Sequence, residues 1–159
     1  MITHIKGNLL DSDCDYICHQ VNCHGVMGSG IEKQIKEKWP NVYAEYRNRY
    51  EYYVKAGISI YDLLGDTDLI FIGDENKDRF VINMYSQGDY GYIDKRYTSY
   101  DAFSQCLELI DCHVPLGSKI GFPKNIGCGL GGGNWNIIYA LIEEILGDTH
   151  DVYIYEYEP

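Results

Sequence analysis

The sequence predicts an α/β fold of three layers, a mixed but mostly parallel sheet held between helices, and three observations carry that prediction. Short apolar or alternating runs that read as strands recur over residues 2–6, 16–21, 69–72, 80–84, 119–123 and 151–157. Segments with apolar residues at helical spacing alternate with most of them. Twice, a glycine-rich turn joins a strand to the following helix, at residues 22–30 and again at 126–135. In such a fold, ligand sits at the carboxyl ends of the strands.

The first run, Ile2-Thr3-His4-Ile5-Lys6, alternates and stops at Gly7-Asn8, a strand followed by a turn. Asp11-Ser12-Asp13 is a polar turn. Residues 16–21 then form a buried strand that delivers the first glycine loop. Ile31, Ile35 and Trp39 share one face of a helix, which Pro40 ends. Ser29 and Glu32 fit a capping box, in which serine and glutamate three residues apart satisfy each other's backbone N–H groups. With Ser29 so occupied, a bound phosphate would use the N–H groups of Gly25 to Gly28.

Residues 41–53 form a second, tyrosine-rich helix, and the runs 69–72 and 80–84 are a strand pair joined across 73–78. Residues 85–92 make a flexible polar and aromatic loop, either a ligand cover or simply a long connection. Ala102, Phe103, Cys106, Leu107 and Ile110 share a face of a helix over 98–113. The strand 119–123 feeds the second glycine loop. Trp135, Ile138, Leu141, Ile142 and Ile145 mark the last helix, stopped at Gly147 before the final strand. No repeat or linker interrupts the 159 residues, which are read as one domain with one core.

The formal charge of −11 argues against a general nucleic-acid or anionic-membrane surface, which needs clustered Lys and Arg. A phosphate ligand must therefore be caught locally, by backbone N–H groups and loop dipoles. The sixteen tyrosines are read as sheet and helix positions, not a base-stacking platform. Six cysteines without disulfide-framework spacing, no secretory signal and no bilayer-length apolar run predict a reduced, cytoplasmic protein.

A glycine-rich turn opening a helix after a strand is a device for holding an anion. First-turn N–H groups lack intrahelical partners, the helix dipole is positive there, and glycine lets backbone approach ligand. Two such turns in one domain point to one ligand with two phosphates, or one phosphate held from both sides. Neither turn is a Walker A or G-x-G-x-x-G motif. Cys18 and His19 point to opposite faces of a strand while Cys23 and His24 lie in a loop, so no zinc set forms and no metal or cofactor is expected. Cys128 has no arginine in its loop, unlike a cysteine phosphatase, and is read as packing beneath it. Residues 11–15 lack the glycine and terminal glutamate of an EF-hand. Asn22, where the buried strand opens into the anion loop, can both donate and accept, which suits a ribose diol. His24 and Asp89 are the candidate catalytic side chains, for orienting or deprotonating a water.

The succession Gly7-Asn8-Leu9, His19-Gln20-Val21-Asn22, Gly25-Val26-Met27-Gly28-Ser29-Gly30-Ile31, and Ile126-Gly127-Cys128-Gly129-Leu130-Gly131-Gly132 before Trp135 resembles the macro domain along the whole chain. Asn83-Met84-Tyr85-Ser86-Gln87, with Arg96-Tyr97-Thr98 and Tyr100 after it, is similar to the branch described as ADP-ribose-1″-phosphate phosphatases. The resemblance implies that ADP-ribose or a derived nucleotide is the ligand, with ADP-ribosylated macromolecules as partners. Asn22 would contact the distal ribose, and Gly25, Val26, Met27, Gly28, Ser29 and Gly30 would wrap the phosphate beside it. Ile126, Gly127, Cys128, Gly129, Leu130, Gly131 and Gly132 would hold the diphosphate. Asn8 and Leu9 would lie at the adenine, with Tyr155 or Tyr157 stacked on it.

Three departures from the family pattern bear on activity. Asn8 replaces an aspartate that accepts from adenine. Gln87, a ligand-binding candidate, stands near the lysine of de-ADP-ribosylating relatives, and Gly131 near an aspartate of glutamate-directed ones. Asn134 replaces the aspartate of a G-G-D-W sequence. Three functions follow: hydrolysis of the terminal phosphate of ADP-ribose-1″-phosphate, non-catalytic reading or sequestration of an ADP-ribose signal, and de-ADP-ribosylation.

Overall fold

The computed structural model describes residues 1–158. Its central strand, β2 (Tyr16–Val21), is buried along its whole length because both faces of the sheet are covered. Successive side chains on a strand point to opposite faces, so β2 feeds two cores. Cys18 packs with one, and Ile17 and Val21 with the other.

The sheet is completed by β1 (Ile2–Lys6), β3 (Thr67–Phe71), β4 (Phe80–Tyr85), β5 (Lys119–Pro123) and β6 (Asp151–Glu156), in the order β1-β6-β5-β2-β4-β3. Every neighbouring pair is parallel except β3 with β4, the hairpin expected from sequence. On one face lie α1 (Gly30–Lys38) and α2 (Pro40–Ala56), burying Ile35, Val42 and Tyr46. On the other lie α3 (Tyr100–His113) and α4 (Trp135–Leu146), burying Phe103, Leu107, Ile138 and Ile142. The expected three layers are therefore present, with two cores rather than one, separated by the sheet.

Helix ends follow local chemistry. Pro40 is the first residue of α2 as well as the stop for α1, since its missing N–H is not needed there. α2 runs past the expected residue 53 to Gly57, whose φ of 70° and N–H bonds to Tyr53 and Val54 carbonyls close it. α3 starts at Tyr100 rather than Thr98, because Ser99 accepts from the Ala102 N–H. Asn134 caps α4 by accepting from the Asn136 N–H, so asparagine serves as a cap there.

The capping box at α1 does not form. Ser29 makes no side-chain bond to the helix, and the Glu32 side chain lines an open cleft instead. That cleft lies across the carboxyl ends of β5, β2 and β4, where strands of a parallel sheet commonly present ligand. Among the described residues, no helix is long and apolar enough to cross a membrane.

Candidate active site

The cleft has a volume of about 310 Å³. Its walls are the two glycine loops, 22–30 after β2 and 126–134 after β5, and the 86–98 segment after β4 passes over it. The cleft is therefore made where the sequence placed its anion-holding turns, and each wall is held by side-chain bonds.

In the first loop Asn22 is the organiser. Its Oδ1 accepts from the His24 N–H at 2.9 Å and from the Tyr46 hydroxyl at 3.0 Å, and its Nδ2 donates to the Val26 carbonyl at 2.9 Å. The Tyr46 hydroxyl also reaches the Asn22 carbonyl at 2.7 Å. Asn22 is only 3% exposed yet lines the cleft, leaving one amide hydrogen for a ligand. Among the described residues, the N–H groups of Gly25, Val26, Met27, Gly28 and Ser29 have no protein acceptor.

The second loop is tied down by Gln20, a residue the sequence did not single out. Gln20 Nε2 donates to Gln87 Oε1 and Thr98 Oγ1, both at 2.9 Å, while its Oε1 accepts from the Ser86 hydroxyl at 2.7 Å. The Thr98 hydroxyl donates a hydrogen bond to the Gly127 carbonyl at 2.7 Å. Tyr97 and Thr98 N–H groups both donate to the Gly131 carbonyl. The N–H groups of Gly127, Gly129, Leu130 and Gly131 have no protein acceptor among the described residues, so four donors are free at this wall.

The loop glycines divide by what surrounds them. A Cβ at Gly25 would lie 2.8 Å from Tyr50 Cγ and 2.9 Å from Arg47 Nη1, and its φ is 72°. A Cβ at Gly131 would lie 2.6 Å from Thr98 Oγ1, and one at Gly132 would meet the Lys95 carbonyl oxygen at 2.5 Å. These glycines permit close packing of the loops on their supports. Gly30 and Gly129 meet nothing within 4 Å, and Gly28 meets only a Val26 methyl at 3.6 Å. At these three a side chain would meet open space or ordinary van der Waals contact, so packing on the protein does not require the glycine.

The structure brings Asn22, Val26, Gly28, Ser29, Gly30, Gln87, Ile126, Gly127, Gly129, Leu130 and Gly131 together around the cleft. It puts others elsewhere. Asn8 caps a 3-10 turn by accepting from the Leu10 N–H, and Leu9 is in the core against Gly121. Tyr155 is 9% exposed within the core on the α1–α2 face, while Tyr157 is exposed; neither lines the cleft. Met27 is buried in the same core. Gly25 packs on α2, and Gly132 is outside the lining. Cys128 packs against the α3–α4 core; burial raises its thiol pKa, which keeps it from being a ready nucleophile.

His24 and Asp89 meet: Nε2 to Oδ1 is 2.8 Å. The Tyr61 hydroxyl donates to the same Asp89 oxygen at 2.7 Å, and the bonds from His24 and Tyr61 hold Asp89 below the usual carboxylate range. The pair stands at the mouth, beside Tyr90 and outside the lining. His19, by contrast, is fully buried, bonded to Asn83 and kept neutral by desolvation, which lowers its pKa to about 4. All six cysteines are free, and among the described residues no three His, Cys, Asp or Glu side chains gather as a metal site.

Besides Gln20, the lining residues outside the candidate set include Glu32, Tyr90, Tyr92 and Lys124. Tyr90 and Tyr92, 48% and 78% exposed, belong to the 85–92 loop that the sequence offers as a ligand cover, and both line the opening. Lys124 is on the β5–β6 side, within 3.6 Å of Glu156. Glu32, in the first turn of α1, is pushed up to about 8 by desolvation.

No family model matches the chain. The macrodomain of Thermus aquaticus DarG superposes on it with a TM-score of 0.76 at 24% identity, over 100% of this chain and 99% of that one. The fold is that of a macrodomain. In sequence, this chain aligns over 161 residues at 25% identity with the DNA ADP-ribosyl glycohydrolase of Thermus aquaticus, covering 100% of this chain but only 41% of that protein. Thermosipho africanus DarTG in complex with ADP-ribose is similar over 97% of this chain and 41% of its own, with a TM-score of 0.75 at 21% identity.

Proposed function

We propose that this macrodomain binds ADP-ribose and hydrolyses the bond joining a larger molecule to its distal ribose. The observation that carries the reading is the cleft itself, with free N–H donors on both glycine walls and a polar end at Asn22 and Gln87. Backbone donors of this kind suit a diphosphate in a chain whose net charge of −11 offers no long-range attraction. The adenosine half fits the β5–β6 side, beside Lys124 and Leu130, and the distal ribose the β2–β4 side, beside Asn22.

The surroundings of that ribose favour a glycosidic substrate over a phosphomonoester. Among the described lining residues Lys124 is the one cation, and it follows β5 whereas Gln87 follows β4, on the other side of β2. A dianionic phosphate on the distal ribose would meet no positive side chain among the described lining residues there. The alignment with a DNA ADP-ribosyl glycohydrolase supports the same choice. The phosphatase reading has one observation in its favour: the free N–H groups of residues 25–29 at the start of α1, which could spread a monoester's developing charge. In either reaction His24 and Asp89, bonded to each other at the mouth, would steer water.

Calorimetry with ADP-ribose is expected to give a single-site isotherm; a flat trace from folded protein would overturn the proposal. Incubation with an ADP-ribosylated oligonucleotide, an ADP-ribosylated protein and ADP-ribose-1″-phosphate then separates the reactions. Released ADP-ribose from the first or second supports the glycohydrolase, and released phosphate from the third supports the phosphatase. Tight binding without release would make the domain a reader.

A further inference from the structure

The side chains able to move a proton near the ribose end are His24, Asp89 and Glu32. The first two are bonded to each other and to Tyr61 at the mouth. Glu32 is in a different position. It is the third residue of α1, where helical side chains lean back toward the N-terminus, which directs it over the first glycine loop. It lines the cleft with Asn22 and Gly28, and among the described residues its carboxyl has no hydrogen-bond or ion-pair partner. It is also near enough to Tyr46 for its charge to raise that phenol's pKa, and the Tyr46 hydroxyl holds Asn22 through two oxygens. Carboxyl, phenol and amide thus form one cluster at the ribose end.

We infer that Glu32 is the acid–base residue of the cleft, giving its proton to the group that leaves the distal ribose. This rests on the binding reading above. As the bond from ribose C1″ to the leaving atom breaks, the electron pair goes with that atom, which takes the Glu32 proton. Water then adds its oxygen to C1″ from the vacated side and returns a proton to the carboxylate. The products are free ADP-ribose and the protonated leaving group, with Glu32 restored. Desolvation keeps the carboxyl protonated near neutral pH, as an acid catalyst needs to be. No facing charge contributes to that. Tyr46 is the facing titratable group on α2, His24 and Asp89 engage each other at the mouth, and Lys124 neighbours Glu156 on the far side.

The test compares wild type with Glu32→Gln, using whichever of the three ADP-ribose substrates wild type turns over. ADP-ribose affinity in Glu32→Gln is expected to stay within about threefold, while kcat falls about 100-fold. The wild-type kcat should decline above a pH near 8, and Glu32→Gln should lose that limb. Equal kcat with the alkaline limb intact would overturn the role, as would a wild type that binds ADP-ribose but turns over none of the three. Failure of wild type to bind ADP-ribose would remove this inference and the proposed function together; the other outcomes leave the binding reading in place.

Discussion

Glu32 and the loop glycines show what single residues contribute. The Glu32 carboxyl, held at about 8 in the fold against 4.5 for an unperturbed glutamate, keeps its proton over a range where the unfolded chain has lost it. Linkage fixes the sign: the native state binds more protons between those values, so Glu32 makes stability fall as pH rises from about 4.5 through 8. Denaturant melts of wild type and Glu32→Gln should converge near pH 4.5, with the variant increasingly the more stable toward pH 8; parallel curves would show that the carboxyl is not desolvated. A second contrast separates the two classes of glycine. Gly129→Ala places a methyl in open space and should leave the melting temperature unchanged while weakening ADP-ribose binding about tenfold, if ligand approaches that backbone. Gly131→Ala drives a methyl to 2.6 Å from Thr98 Oγ1 and should cost about 1–3 kcal/mol in a denaturation experiment. None of this was legible in the sequence, where Ser29 and Glu32 have the spacing of a cap and all loop glycines look alike. A one-dimensional pattern carries no measure of burial. Leu9 illustrates the same gap: the resemblance puts it beside adenine, while packing on Gly121 puts it in the core.

At the level of elements the sequence was far more informative. The strands at 2–6, 16–21 and 119–123 were read with their observed bounds, because period-2 alternation and apolar runs are written locally. Helix ends shifted where a cap competes with its neighbour. Ser99 caps α3, which frees Thr98 to bond Gln20 and the Gly127 carbonyl and fasten the second loop. That network joins residues from β2, the segment after β4 and the loop after β5, so no local motif reports it. Gln20→Ala would leave the Ser86 hydroxyl and Gln87 Oε1 without their shared partner inside the protein. The expected loss is about 1–3 kcal/mol of stability, with hydrogen exchange rising in residues 126–133 first. Unchanged exchange in that loop would show that Gln20 fills space without fastening it.

For the molecule as a whole, charge decides how ligand arrives. A chain of net charge −11 repels a diphosphate at long range, and under the proposed function the cleft would answer with short-range dipoles from two loops, not with a basic surface. Salt screens the distant repulsion across a Debye length of about 8–10 Å but acts weakly on N–H donors in contact with ligand. Added NaCl should therefore leave ADP-ribose affinity flat or raise it slightly between low and physiological ionic strength. A protein that captures phosphates through lysine and arginine shows the reverse slope. Lys124 is the residue that could produce that reversal here, since among the described residues it is the one cation on the cleft wall. Calorimetric titrations of wild type and Lys124→Ala over a salt series distinguish the two. Affinity that drops tenfold with salt in wild type, and loses that dependence in Lys124→Ala, would transfer the capture from the glycine loops to a single cation. A flat response in both proteins would place it on the backbone dipoles, with Lys124 held by Glu156 as part of the surface.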